Sequence, residues 1–196
     1  MWTMIEDQTH TDSPTRTRTR RAILQAAVSL LSQNAAASMG EVAEAAGVAR
    51  STLHRYFPER GDLLDAVTRF AADEVKAATR RARPEDGPAT DAVIRLCHES
   101  FDHWDAIIWT YWESLKRDQA ECDPEDDALE ARWNALIERG QAEGTIDQSL
   151  PATWIQQMMW AVLYSAWESV RQGTTRHEAL TLCLATMRKV IAPRQG

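Results

Sequence analysis

A chain of 196 residues, 44% apolar and 26% charged, has the composition of a globular protein long enough to bury a core. It has no apolar run near the ~18 residues of a membrane span, and its first ten residues lack the basic-then-apolar order of a secretory leader. The formal net charge of −7 argues against a uniformly basic nucleic-acid binder, but seven Arg stand against three Glu between Pro14 and Arg60, and 14 basic against 21 acidic residues from Ala71 onward. The basic end can meet a polyanion; the acidic remainder cannot easily do so. Three cysteines, odd in number and without C-x-x-C spacing, fit a reduced, cytoplasmic setting better than a disulfide scaffold.

Taken in chain order, residues 1–15 are polar and aperiodic and are expected to be a disordered tail. Ala22, Ile23, Ala26, Ala27, Leu30 and Leu31 recur at helical spacing and predict a first helix over about 17–32. The run S-M-G-E from Ser38 has the form of a capping box, which opens a short helix that Gly47 stops in a left-handed C-cap. A second short helix spans about 50–57 and ends at Pro58, because the residue before a proline avoids helical angles. A longer helix starts near Gly61, with Asp62 at the positive end of its dipole. PEDGP at 84–88 separates it from helices at about 89–104 and 106–117. Seven acids and no base between Asp118 and Glu130 read as a solvated loop and helix start. Helices at about 128–142, 151–172 and 176–191 complete the pattern. The fold class is all-α, about nine helices, which divide into an N-terminal helical segment over 16–62 and a longer helical segment over 63–196.

Two short helices joined by a tight glycine turn form a helix-turn-helix, whose second helix can enter the major groove of DNA. Here that helix presents Arg50, Ser51, Thr52, His54 and Arg55 outward, while Leu53, Tyr56 and Phe57 face the preceding helices. Hydroxyls and guanidinium forks can read base edges, and the remaining arginines suit phosphates. The alternative is an ordinary three-helix packing motif with a solvated basic face.

The residues I-L-Q-A-A (Ile23 to Ala27), E-V-A-E-A-A-G-V (Glu41 to Val48) and S-T-L-H-R-Y-F-P-E-R-G-D-L-L (Ser51 to Leu64) resemble the DNA-binding domain of the tetracycline-repressor (TetR) family. The later G-Q-A-E-G-T-I (Gly140 to Ile146), ahead of a long apolar helix, is similar to that family's second domain. The resemblance implies a homodimeric repressor that binds double-stranded operator DNA, pairs through its last two helices and is released by a small molecule, with no cofactor. It also implies that Arg50, Ser51, Thr52 and His54 are recognition-helix contacts, and that Ser38 and Arg60 touch phosphates. Ala49 departs from the frequent Ser, a loss of roughly 1 kcal/mol of capping. His54 departs from the frequent Tyr.

Eight tryptophans are the unusual feature of the composition. Trp109, Trp112 and Glu113 share one helix face, and so do Trp160, Tyr164, Trp167 and Glu168. Aromatic faces with carboxylates nearby suit a small hydrophobic effector of the multidrug kind, an organic cation being the species such a pair attracts. The competing reading assigns these aromatics to core and dimer interface. Leu180, Cys183, Leu184, Met187, Val190 and Ile191 form an apolar stripe on the last helix that would ask for a twofold partner, although a monomeric core would use the same residues.

Other classes fare worse. There is no H-E-x-x-H, no G-x-S-x-G and no phosphate-binding glycine loop. His98 and His103, five residues apart, point about 140° apart on a helix, which argues against a shared metal. An activator, or an orphan regulator without a small-molecule ligand, remains the alternative.

Overall fold

A computed structural model describes residues 14–116 and 124–193. Most of the expected disordered tail, and residues 117–123 of the acidic segment, lie outside the described residues. Among those described there are nine helices and no strand: α1 (Pro14–Gln33), α2 (Met39–Ala45), α3 (Arg50–Tyr56), α4 (Arg60–Ala82), α5 (Ala89–Asp102), α6 (Trp104–Lys116), α7 (Pro124–Ala142), α8 (Ala152–Arg171) and α9 (Arg176–Ile191). The backbone divides into two compact units, one ending at Val67 and the other beginning at Thr68, so the boundary falls inside α4. No described helix is long and apolar enough to cross a membrane.

The first unit is built on α1, whose apolar stripe Ile23, Leu24, Ala27, Val28 and Leu31 is buried. Helix α1 begins at Pro14, earlier than the periodic residues indicate. Proline suits the first turn of a helix, and the T-R-T-R run that follows lacks a helix breaker. Val42 and Ala43 of α2 and Leu53 of α3 close the small core.

In the second unit α5 packs against α7, α8 and α9. Its buried residues Val93, Leu96, Cys97 and Phe101 meet Ile137, Ile155, Met159, Leu163, Cys183 and Met187. The PEDGP loop is held from two sides. Arg95 donates to the carbonyls of Ala82 (2.8 Å), Arg83 (2.9 Å) and Asp86 (2.6 Å), and Arg139 to that of Pro84 (3.1 Å).

The last helix differs from expectation. Cys183, Met187 and Ile191 are buried in the chain's own core, and Leu180, Leu184 and Val190 pack against it. Because α9 packs on α5 as well as on α8, its most apolar stripe is used within the chain. The outer side of the α8–α9 pair is instead a shallow groove of smaller residues, among them Ala161, Val162, Ser165, Leu182 and Thr186.

Candidate nucleic-acid interface and aromatic cluster

The helix-turn-helix is set by local rules. Ser38 accepts from the Glu41 amide (3.3 Å), and the Glu41 carboxylate accepts from the Ser38 amide (2.7 Å), completing the capping box. Those bonds to Ser38 hold the Glu41 carboxyl below the usual glutamate range. Gly47, at φ +64°, makes the left-handed turn that a side chain resists. Ala49 caps α3 with no side-chain bond.

On α3, Leu53 is fully buried and Phe57 nearly so, whereas Arg50, Ser51, His54 and Arg55 are exposed and Thr52 is half-buried. The spacing therefore delivers one inward anchor and leaves donors and acceptors exposed around it. Tyr56 is only half-buried and lies beneath the guanidinium groups of Arg16 and Arg55. His54 Nδ1 lies 3.4 Å from the Pro58 carbonyl, which ties that ring to the chain leaving α3.

Two side chains have positions that the sequence does not disclose. A Cβ on Gly40 would stand 2.9 Å from Nη2 and 3.1 Å from Cζ of Arg50. The bare glycine thus leaves a shelf on α2 where the Arg50 guanidinium lies. Arg60 donates to the carbonyls of Ala37 and Ala35, the latter at 2.8 Å. It clamps the α1–α2 loop to the start of α4, and those two N–H groups are occupied whatever its remaining donors do.

The two aromatic faces of the second unit behave differently from each other. On α6, Trp109 is buried and its indole N–H donates to the Thr68 hydroxyl of α4 (3.1 Å). Trp112 is 52% exposed and lies edge-on to Tyr111 at 5.6 Å. Glu113 accepts from Lys116 at 2.5 Å. On α8, Trp160 is half-buried against Trp133 of α7, with ring centres 5.8 Å apart. Trp167 is half-buried against Trp104, at 6.3 Å, and Tyr164 lies 6.0 Å from Trp167 on its exposed side. Glu168 pairs with Arg171 (3.9 Å), whose guanidinium covers the Trp167 ring at 5.0 Å.

The aromatics thus join as Trp133–Trp160 and Trp104–Trp167–Tyr164, while Trp109 turns toward α4. Trp133 and Trp104 stood outside the sequence-based set. Trp133 shows no local motif, and its pairing follows from how α7 meets α8. Both carboxylates already hold a cation, Lys116 for Glu113 and Arg171 for Glu168. Among the described residues, the buried indole N–H of Trp104 has no hydrogen-bond partner, and the group is 5% exposed. A buried orphan donor costs about 1–3 kcal/mol, so this N–H is suited to an incoming acceptor.

Helix α4 is tied to these elements at further points. Arg81 pairs with Glu99 of α5 at 2.8 Å and contacts the His103 ring, whose Nδ1 lies 3.7 Å from Glu74. No group of three or more metal-ligating side chains gathers among the described residues.

Comparison with known proteins agrees with this architecture. Residues 23–67 match the model of the tetR family of bacterial regulatory proteins. The chain is 34% identical over 177 residues to the HTH-type transcriptional repressor LfrR of Mycolicibacterium smegmatis, covering 90% of this chain and 92% of that protein. The crystal structure of LfrR from Mycobacterium smegmatis superposes with a TM-score of 0.69 at 32% identity, over 91% of this chain and 99% of that one. Its complex with proflavine gives 0.61 at 32% identity, over 90% and 98%. The helix-turn-helix, the helical second unit and these relatives place the chain in the TetR family of bacterial regulatory proteins, as a DNA-binding transcriptional regulator and not an enzyme.

Proposed function

We propose that this protein is a cytoplasmic, homodimeric repressor in which α3 reads operator DNA and the aromatic groups Trp104–Trp167 and Trp133–Trp160 receive a small aromatic effector. One observation supports the DNA half above all. Around buried Leu53, α3 carries Arg50, Ser51, His54 and Arg55, all exposed. Arg50 is the candidate for base reading, since a guanidinium fork matches the two acceptors of guanine; Ser51 and Thr52 accept or donate as the base requires. Ser38, at the N-terminus of α2, faces a region where orphan amides favour phosphate.

Support for the effector half is the aromatic content of the second unit together with the orphan Trp104 N–H. A flat ring could stack on Trp167 in place of Arg171, and a positive charge on it would meet the same π face that the guanidinium now covers. Because Glu113 and Glu168 hold cations of their own, the aromatic faces rather than free carboxylates would carry the affinity. Trp109, Trp112, Glu113, Tyr164 and Glu168 then form its periphery. Displacement of α6 or α5 would reach α4 through Trp109–Thr68 and Arg81–Glu99, and α4 continues through Val67 into the DNA-reading unit.

The α8–α9 groove of small residues is the surface we assign to the twofold partner. Ala161, Ser165 and Thr186 allow helices to approach closely, and Leu182, exposed on one chain, supplies an apolar contact for the other. The whole reading is tested with two variants of the full chain on a duplex selected by the protein from a random library. Arg50→Ala should lose the selected duplex and still bind proflavine; Trp167→Ala should do the reverse. If both variants lost the same property, the assignment of two separate sites would be wrong.

A further inference from the structure

The Trp104 indole is one of several polar groups left unpaired inside the second unit. Asn134 of α7 buries its Oδ1 with no hydrogen-bond partner among the described residues. The remaining such atom, Arg139 Nε, belongs to the guanidinium that holds the PEDGP loop. Gln156 of α8 is 7% exposed, and its side chain has no hydrogen bond among the described residues. Folded chains leave few buried polar groups unpaired, so those that persist call for an account.

Trp104, Asn134 and Gln156 are strung along one line. Gln156, Trp160, Leu163 and Trp167 recur at i, i+4, i+7 and i+11 and share a stripe of α8. Trp133, the residue before Asn134, meets Trp160 with ring centres 5.8 Å apart, and Trp104 meets Trp167 at 6.3 Å. Asn134 precedes Gln141 by two turns on one side of α7, and Gln141 donates to the Leu150 carbonyl at the entry to α8 (2.7 Å). That puts the Asn134 amide on the α8 side of α7, at the Trp160 end of the stripe. Trp160 and Trp167 are seven residues apart, about 10 Å along the helix. The orphan acceptor and the orphan donor are therefore complementary in kind but too far apart to satisfy each other. An aromatic molecule lying along the stripe meets both.

We propose that the aromatic cluster takes an elongated flat molecule with a hydrogen-bond acceptor at one end and an N–H or O–H donor at the other. The acceptor receives the Trp104 indole N–H. The donor gives to Asn134 Oδ1, with the Gln156 amide at the same end. This rests on the reading that the cluster is the effector site, and adds to it the polarity of the effector. Charge is not required, since Glu113 and Glu168 already hold Lys116 and Arg171. A purely apolar ring of the same size leaves both orphans buried and unpaired, which is how a site rejects an analogue that lacks a partner group.

The probes are 7-amino-4-methylcoumarin, with an amine and a lactone carbonyl at opposite ends of its fused rings, and its 7-dimethylamino analogue, which keeps the carbonyl but lacks the N–H. Their affinities for the full chain are read by quenching of tryptophan fluorescence. The amine should bind about fivefold tighter or more. Equal affinities, or binding of neither coumarin while proflavine binds, overturn the proposal without recourse to a variant. Asn134→Leu, close in size, should bring the pair within about twofold. A preference kept in that variant comes from the bulk of the methyl groups and overturns the acceptor role of Asn134. Trp104→Phe should weaken both coumarins alike and keep their ratio, and unchanged affinities there overturn the donor role. Proflavine, titrated in parallel on the parent chain and on Trp167→Ala, separates the two ideas. If proflavine and both coumarins fail to bind the parent, the aromatic site itself fails. If proflavine binding depends on Trp167 while the coumarins are not distinguished, only the required polarity fails.

Discussion

Arg60→Ala asks whether a residue expected at the DNA backbone instead holds the DNA-reading unit together. Its guanidinium donates to the carbonyls of Ala37 and Ala35, more than 20 residues earlier in the chain. A hydrogen bond to a charged donor contributes about 1.5–3 kcal/mol, and the Ala35 bond is exposed, so it lies at or below the lower end. The pair together should contribute roughly 2–3 kcal/mol. For a chain of this size each kcal/mol moves the thermal midpoint by about 2–4 °C, giving a loss of roughly 4–12 °C. The assay must see the first unit. Far-UV circular dichroism does, whereas tryptophan fluorescence follows the second unit, since seven of the eight tryptophans lie beyond Thr68. Arg60→Lys should recover less than half the loss, because an ammonium cannot fork onto two carbonyls. Operator binding, measured well below the melting range, should keep its salt slope. A variant as stable as the parent, with a slope lower by about 0.9 per head, would refute the clamp and make Arg60 a phosphate contact.

Trp104→Phe removes a buried donor that has no partner, so the stability of the free protein should change by less than about 1 kcal/mol, the lost ring volume offsetting the relieved donor. Affinity for proflavine, read by fluorescence titration, should fall about fivefold or more; a stability loss with affinity unchanged would remove Trp104 from the effector site. Gly40→Ala should leave the melting temperature equal or higher, since alanine favours helix by about 0.8–1 kcal/mol. It should nonetheless weaken the selected duplex several-fold by pushing the Arg50 guanidinium off its shelf, and equal binding would show that the shelf is not needed. Glu41 has its pKa lowered by its bonds to Ser38, so its contribution is full above the ordinary glutamate range and is lost as pH falls through the depressed value. Glu41→Gln keeps the reach-back amide but does not titrate, so its stability should decline less steeply in acid than that of the parent in pH-dependent melting. Parallel acid limbs would contradict that.

Much of the first unit was legible because it obeys local rules. The Ser38–Glu41 box, the Gly47 turn and the Leu53–Phe57 spacing are each written within a few residues. A second box, Thr175 with Glu178, has the same form at the start of α9, so the pattern was present there to be read. The second unit was less legible, since its partners come from distant segments. Helical spacing puts Trp160 and Trp167 on one face, but nothing local says that Trp133 meets one and Trp104 the other. The α9 stripe illustrates the same limit. Apolar spacing cannot tell a surface waiting for a partner from one already covered by α5, and Cys183, Met187 and Ile191 turned out to be covered. Side-chain length hid the rest: Arg16, Arg20 and Arg60 look like free surface charge until their ends are placed on rings and carbonyls.

The most direct test of the account is the affinity of the full chain for proflavine, measured by tryptophan quenching with and without saturating selected duplex. A ligand-released repressor must bind effector more weakly when DNA is bound, by the same factor by which the effector weakens DNA binding. Coupling of the usual size makes that factor about 5–150. Weaker binding on the duplex, matched by DNA release at the same proflavine concentrations, is the predicted result. Equal proflavine affinity in both states would show that the aromatic site and the α3 face are not coupled, and would contradict the central claim.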